Sequence, residues 1–144
     1  MYQPSREQAR RFFFDTWRQY RDGAPLQPLQ RMALEVMLLH PEYHAMLDQP
    51  DTYVDRDYTP ESGAMNPFLH LSLHLAVDEQ LSVDRPAGVR AALQRLALGE
   101  GDRHRALHAL LECLGETLWQ AQRLEGTPDA QAYLECLERR GGHR

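Results

Sequence analysis

The sequence predicts an all-α fold, a single domain of residues 1–144 built as a bundle of about five or six helices. Two observations lead to this prediction. Apolar residues recur at helical spacing in most segments, and prolines or glycines separate these segments from one another. No segment shows the strict apolar–polar alternation that is typical of a half-buried strand.

The expected helices follow this punctuation in order. The first runs from Ser5 to Arg21 and ends at the Asp22-Gly23 dipeptide, with Phe13, Trp17 and Tyr20 on its apolar stripe. A long polar connection is expected at about residues 49–65. The other expected helices cover about residues 28–40, a short segment after Pro41, residues 67–83, a segment ending near Gly99, and residues 102–124 and 128–140.

The composition excludes several kinds of function. The net charge of −5 disfavours nucleic-acid binding, which requires a basic surface. All 16 basic residues are arginines, so no lysine can form a Schiff base or bind phosphate in a Walker loop. No segment reaches the roughly 20 apolar residues of a membrane span, and the cytoplasm is the expected location. The cysteines at positions 113 and 136 are expected to be buried, reduced thiols.

Histidine spacing is the least ordinary feature of the sequence. Six of the seven histidines form three pairs four residues apart: 40 and 44, 70 and 74, 104 and 108. On a helix such residues lie about 40° apart around the axis, so two imidazoles can face one ion. The pair His70 and His74 lies in the apolar stretch "NPFLHLSLHLAVDEQ" and is expected to point inward.

The other pairs add weaker candidates. On the helix of the third pair, His108 and Glu112, four residues apart, are the two side chains best placed to bind one ion together. Glu116 lies four residues beyond Glu112. Pro41 breaks the first pair, which leaves His40 facing inward alone. The complete candidate set for a metal site is therefore His70, His74, His108, Glu112, His40 and Glu116. Nitrogen and oxygen ligands of this kind suit a Zn, Fe or Mn ion.

Two hypotheses for the function remain open from the residues. In the first, the chain is a helical protein with a buried histidine and carboxylate site that binds a transition metal. In the second, it is a protein-binding adaptor, or a homodimer, in which the histidines form a purely structural network. The docking surface would then be the helix face around Phe12, Trp17 and Arg18, or the acidic connection. A proton-transfer or binding site without metal is a third use of the histidines, and neither a reaction nor a catalytic residue follows from the sequence.

Several stretches carry a resemblance to a known family: "PSREQARRFFFDTW", "HPEYH", "DYTPESGAMNPFLHLSLHLAVDEQLSVDRPAGVR", "ECLGETLWQAQR" and "YLECLERR". In these stretches the chain resembles a small, uncharacterised bacterial family, domain of unknown function 1841 (DUF1841). The likeness covers nearly the whole chain and implies a short cytoplasmic bacterial protein. It implies no activity, substrate or site residue.

Overall fold

Within residues 6–56 and 66–142, the part of the chain that this computed structural model describes, the secondary structure is helical, with eight α-helices and no strand. The prediction of an all-α protein is confirmed, but the expected number of five or six helices is too low. The helices are α1 (Arg6–Arg21), α2 (Pro28–Leu38), α3 (His44–Leu47), α4 (Pro50–Tyr53), α5 (Pro67–Val83), α6 (Val89–Glu100), α7 (Arg103–Arg123) and α8 (Ala130–Gly142).

Two short helices follow α2, and each is preceded or begun by a proline: α3 is the short segment expected after Pro41, whereas α4 was not expected. Pro41 begins a short 3₁₀ turn, Pro41–Tyr43, that leads into α3, and Pro50 begins α4. Proline is favoured at the first position of a helix because it has no N–H to lose there. The expected connection at 49–65 therefore begins with a helical turn, while its residues 57–65 lie outside the described residues.

The ends of the longer helices follow from local side-chain chemistry. The Oδ1 atom of Asn66 accepts hydrogen bonds from the backbone N–H groups of Phe68 and Leu69, at 3.0 and 3.2 Å, and so caps α5. Asp102 caps α7 in the same way. Gly23, with φ of +73°, ends α1 where the sequence predicts it, although the predicted first residue, Ser5, lies outside the described residues.

The chain divides into two compact units, Met1–Leu75 and Ala76–Arg144, and the division falls within α5. The prediction of a single domain stays a prediction. The first unit has its own apolar core, to which α1 contributes Phe13, Phe14 and Trp17 and α2 contributes Val36 and Met37. This burial confirms the apolar stripe predicted for α1 at Phe13 and Trp17, whereas its third residue, Tyr20, is 41% exposed.

Trp17 is fixed on the inside of the first unit. Its indole N–H donates a hydrogen bond to Asp48 at 2.8 Å, and its ring lies 4.6 Å from the ring of His44. Because Phe12 is also half-buried, the docking surface predicted around Phe12, Trp17 and Arg18 retains only Arg18 as a fully exposed side chain.

In the second unit, α6, α7 and α8 pack against one another. A disulfide joins Cys113 of α7 to Cys136 of α8, so the expectation of reduced thiols is wrong, although both residues are buried as expected. A separation of 23 residues along the chain gives no hint of this bond. The packing of the two helices brings the Cα atoms to 5.8 Å, within the range that a disulfide needs.

Candidate histidine site

His40 lies at the point where α2 has ended and Pro41 follows. It is 5% exposed, and its backbone has left the helical region, with φ of −125° and ψ of 67°, as expected where a following proline disfavours helical geometry. The imidazole turns back along α2, and its Nδ1 atom lies 2.7 Å from the carbonyl oxygen of Val36. A carbonyl oxygen only accepts, so Nδ1 carries the proton, and Nε2 of the neutral ring presents its lone pair.

His70 of α5 meets that lone pair. The two Nε2 atoms, of His40 and His70, are 3.0 Å apart, and the ring centroids are 4.8 Å apart at 73°. In a neutral pair, the Nε2–H group of His70 donates to Nε2 of His40. The same separation is also close to that of two imidazole nitrogens bound to one ion, since each Zn–N bond is about 2.0–2.1 Å long.

His74 completes a cluster of three rings in the first unit. It is 2% exposed, and its ring centroid lies 5.4 Å from that of His40 and 6.3 Å from that of His70. The prediction that the residues of the HxxxH pair point inward is confirmed for His74, whereas His70 is half-buried. His40, His70 and His74 will be called the histidine cluster below.

Tyr43 closes one side of the histidine cluster. Its ring stacks on that of His40, with centroids 5.6 Å apart and an interplanar angle of 8°, and lies 6.1 Å from the ring of His70. Burial, with a smaller contribution from the charge of Glu42, raises the pKa of the Tyr43 hydroxyl. The sequence analysis missed this residue, and its only signal is its position three residues after His40 in the "HPEYH" stretch.

His44 does not join the cluster through its sequence pairing with His40. Its Nε2 lies 2.8 Å from the carbonyl oxygen of Met37, to which its N–H donates, and its ring faces Trp17. The 3₁₀ turn that begins at Pro41 lies between the two histidines, and although both bond to carbonyl oxygens of α2, the His40 ring meets His70 of α5 while the His44 ring meets Trp17 of α1. An i, i+4 spacing places two side chains together only where the helix between them is unbroken.

The candidates of the second unit lie on α7. The rings of His104 and His108 are 4.5 Å apart, with His104 exposed and His108 half-buried. The carboxylate of Glu112 is 63% exposed and forms an ion pair with the Arg140 guanidinium at 2.7 Å. Glu116 is exposed as well. The drift expected along this row of α7 places these four side chains in different surroundings.

A complete metal shell is absent from the described part of the chain. Over residues 6–56 and 66–142, no group of three or more His, Cys, Asp or Glu side chains is placed to hold a metal ion. What the first unit offers is one coordination edge, formed by the Nε2 atoms of His40 and His70, with the His74 imidazole beside it. This edge is chemically suited to an ion because a buried neutral histidine whose Nδ1–H is held by a carbonyl is a common form of metal ligand.

The fold and this site define an all-helical protein with a buried cluster of histidines. The family described as "Domain of unknown function (DUF1841)" matches residues 5–139, and the chain belongs to that family. Liprin-alpha from Caenorhabditis elegans is 33% identical over 86 residues, a stretch that covers 60% of this chain and 8% of Liprin-alpha. The chain thus spans only a small part of that relative's length. No solved structure matches, and none of the described helices has the length and apolar character needed to cross a membrane.

Proposed function

We propose that the histidine cluster binds a transition-metal ion, with Nε2 of His40 and Nε2 of His70 as the first two ligands. The observation that carries this proposal is their separation of 3.0 Å, together with the contact of 2.7 Å between His40 Nδ1 and the Val36 carbonyl oxygen. The carbonyl holds the ring so that its lone pair is directed at His70. A buried imidazole and a half-buried one, brought together in this way from separate segments of the chain, are ready to share an ion.

His74 is the proposed third ligand. It lies one helical turn beyond His70 on α5, and its ring is already within 5.4 Å of the His40 ring, measured between centroids. An all-imidazole set favours Zn or Fe over Mn, because Mn prefers oxygen ligands.

The proposed ligand set is smaller than the one that the sequence predicts. Glu112 is omitted because its carboxylate is mostly in solvent and is neutralised by Arg140. His108 and Glu116 belong to the second unit and stay sequence predictions. The proposal therefore concerns metal binding alone, and it names no reaction.

Metal analysis of protein purified without an affinity tag tests the proposal. We expect about one Zn or Fe ion per chain, bound through imidazole nitrogens that protons compete for, so the affinity should fall as the pH is lowered. His70→Gln should lower the affinity at least about tenfold, because even the loss of a group that only orients a ligand typically costs about 10–100-fold. The same substitution keeps a side chain that can form a hydrogen bond with His40, so the fold should survive.

Two matched controls accompany this experiment. His104→Gln removes an exposed histidine of the second unit, and Glu112→Gln removes a carboxylate that the sequence analysis counted as a ligand. Both variants should keep the metal content of the unchanged protein. A content below about 0.2 ion per chain, with no rise in melting temperature on addition of Zn, would overturn the proposal.

The alternative is a protein-binding module in which the histidines form a structural network. It is favoured by one observation, since the bond between His40 and His70 already satisfies both Nε2 atoms without an ion. Leu98, Trp119 and Leu124 are large exposed apolar side chains of the second unit that a partner could cover. A metal-free protein whose mass by light scattering is that of a dimer, and whose dimerisation is weakened by Trp119→Arg, would support this alternative.

A further inference from the structure

The second unit contains a cavity beside its disulfide. This cavity has a volume of about 480 Å³ and is formed by the end of α7, the following turn and residues of α8. Cys136 is one of its lining residues, whereas Cys113 is not. Cys136 is 8% exposed and Cys113 is 0% exposed, so Cys136 is the half of the disulfide that adjoins the cavity.

The charges around this cavity are unequal. Three carboxylates line it, those of Glu116, Asp129 and Glu135, against one guanidinium, that of Arg139. The potential at its mouth is therefore negative near neutral pH. An anionic reagent is repelled there, and a reagent with an ammonium group is attracted, by an interaction that dissolved salt screens.

We propose that Cys136 is a thiol-exchange site, and that the acidic cavity selects small aminothiols over thiols that carry a carboxylate. The thiolate of the aminothiol attacks the sulfur of Cys136, and the Cys113–Cys136 bond breaks. The electron pair of that bond leaves on the sulfur of Cys113, which then takes a proton from water. Cys136 is left as a mixed disulfide with the aminothiol.

A second aminothiol completes the exchange. Its thiolate attacks the sulfur of the bound aminothiol, which releases the small-molecule disulfide and leaves Cys136 reduced. In total, two thiols lose two electrons and two protons, and the protein disulfide gains them as two thiols. The reaction thus requires only the aminothiol that the cavity selects, and it converts the covalent link between α7 and α8 into ordinary packing.

The net charges of the attacking thiolates provide the test. Cysteamine thiolate has a net charge of zero, mercaptoethanol thiolate −1, and 3-mercaptopropionate thiolate −2. The rate of disulfide opening in the wild-type chain is measured with each of the three thiols. Each rate is divided by the fraction of the thiol present as thiolate, and then by the rate at which the same thiol opens a small neutral disulfide, to give a normalised rate. This normalisation removes the differences in intrinsic nucleophilicity.

At about 10 mM ionic strength we expect the normalised rate of disulfide opening to be about tenfold or more higher for cysteamine than for 3-mercaptopropionate. The normalised rate for mercaptoethanol should lie between them. In 1 M salt, where the Debye length falls to about 3 Å, the difference should largely disappear. Glu135→Gln should reduce the selectivity and Arg139→Gln should increase it. Glu138→Gln removes an exposed α8 carboxylate that does not line the cavity; as the matched control it should reduce the selectivity less than Glu135→Gln does.

Mass spectrometry identifies the sulfur that is attacked. The reaction is stopped early with iodoacetamide, and the cysteamine adduct is expected on Cys136 with the carbamidomethyl group on Cys113. Equal normalised rates for the three thiols, an adduct found mainly on Cys113, or two free thiols in protein that was never exposed to reductant would each overturn the proposal.

Discussion

A single carbonyl oxygen determines what His40 can do. The helical wheel of the sequence correctly predicts that His40 faces inward, and it is buried. The wheel could not predict the contact with Val36, because this contact depends on the backbone turning out of the helix before Pro41. The direction of the side chain was thus predictable, and the atom that carries its proton was not.

Tyr133 offers a test of burial at the residue scale. It is 2% exposed, and its hydroxyl donates to the side-chain oxygen of Gln80 at 2.7 Å. Burial raises the pKa of Tyr133 well above its usual range. Below about pH 10 the folded and unfolded chains both keep this proton. Above that pH the unfolded chain loses it first, so the free energy of unfolding falls as the pH rises, by at most about 1.4 kcal/mol per pH unit.

We therefore expect Tyr133→Phe to be less stable than the unchanged protein by about 0.5–1.5 kcal/mol at pH 7, through loss of the hydrogen bond to Gln80. Between about pH 10 and pH 11 it should lose less stability than the unchanged protein does. Urea unfolding across this range measures both quantities. The absence of lysine helps, because no ammonium group titrates in the same interval. Parallel pH profiles would contradict the prediction.

At the scale of elements, α5 is the helix whose start the sequence predicts best. The Asn66-Pro67 pair predicts a cap and a first helical residue, and both are present. The segments after α2 were harder to predict. Helices of four residues, such as α3 and α4, show no apolar period, and only Pro41 and Pro50 mark their beginnings.

The cap of α5 can be tested by substitution. Asn66→Ala removes the oxygen that accepts from Phe68 and Leu69, and should lower the free energy of unfolding by about 1 kcal/mol. Asn66→Asp keeps an acceptor and places a negative charge near the helix N-terminus, so it should be close to neutral or stabilising. Chemical denaturation of both variants provides the comparison. An equal loss in both would show that the cap oxygen is not what stabilises this turn.

At the scale of the whole molecule, the helices can be predicted from local sequence patterns, whereas packing between distant segments determines which residues meet at the site. The pairing of His40 with His70 joins residues 30 positions apart. The sequence supplies both as candidates but cannot choose them over His108 or Glu112, since helical spacing relates residues within one helix only. The disulfide was missed for the same reason, because its two cysteines lie on different helices.

The placement of the two tryptophans gives each compact unit its own optical reporter. Trp17 is buried in the first unit, while Trp119 of the second is 53% exposed, with the Arg123 guanidinium 4.7 Å from its ring centroid. Iodide should therefore quench the fluorescence of Trp119, and Arg123 should draw this anion closer. We expect a Stern–Volmer plot that curves downward and becomes linear in Trp119→Phe. A straight plot for the unchanged protein would contradict this expectation. With the two emissions separated in this way, one sample reports the unfolding of each unit without any added dye.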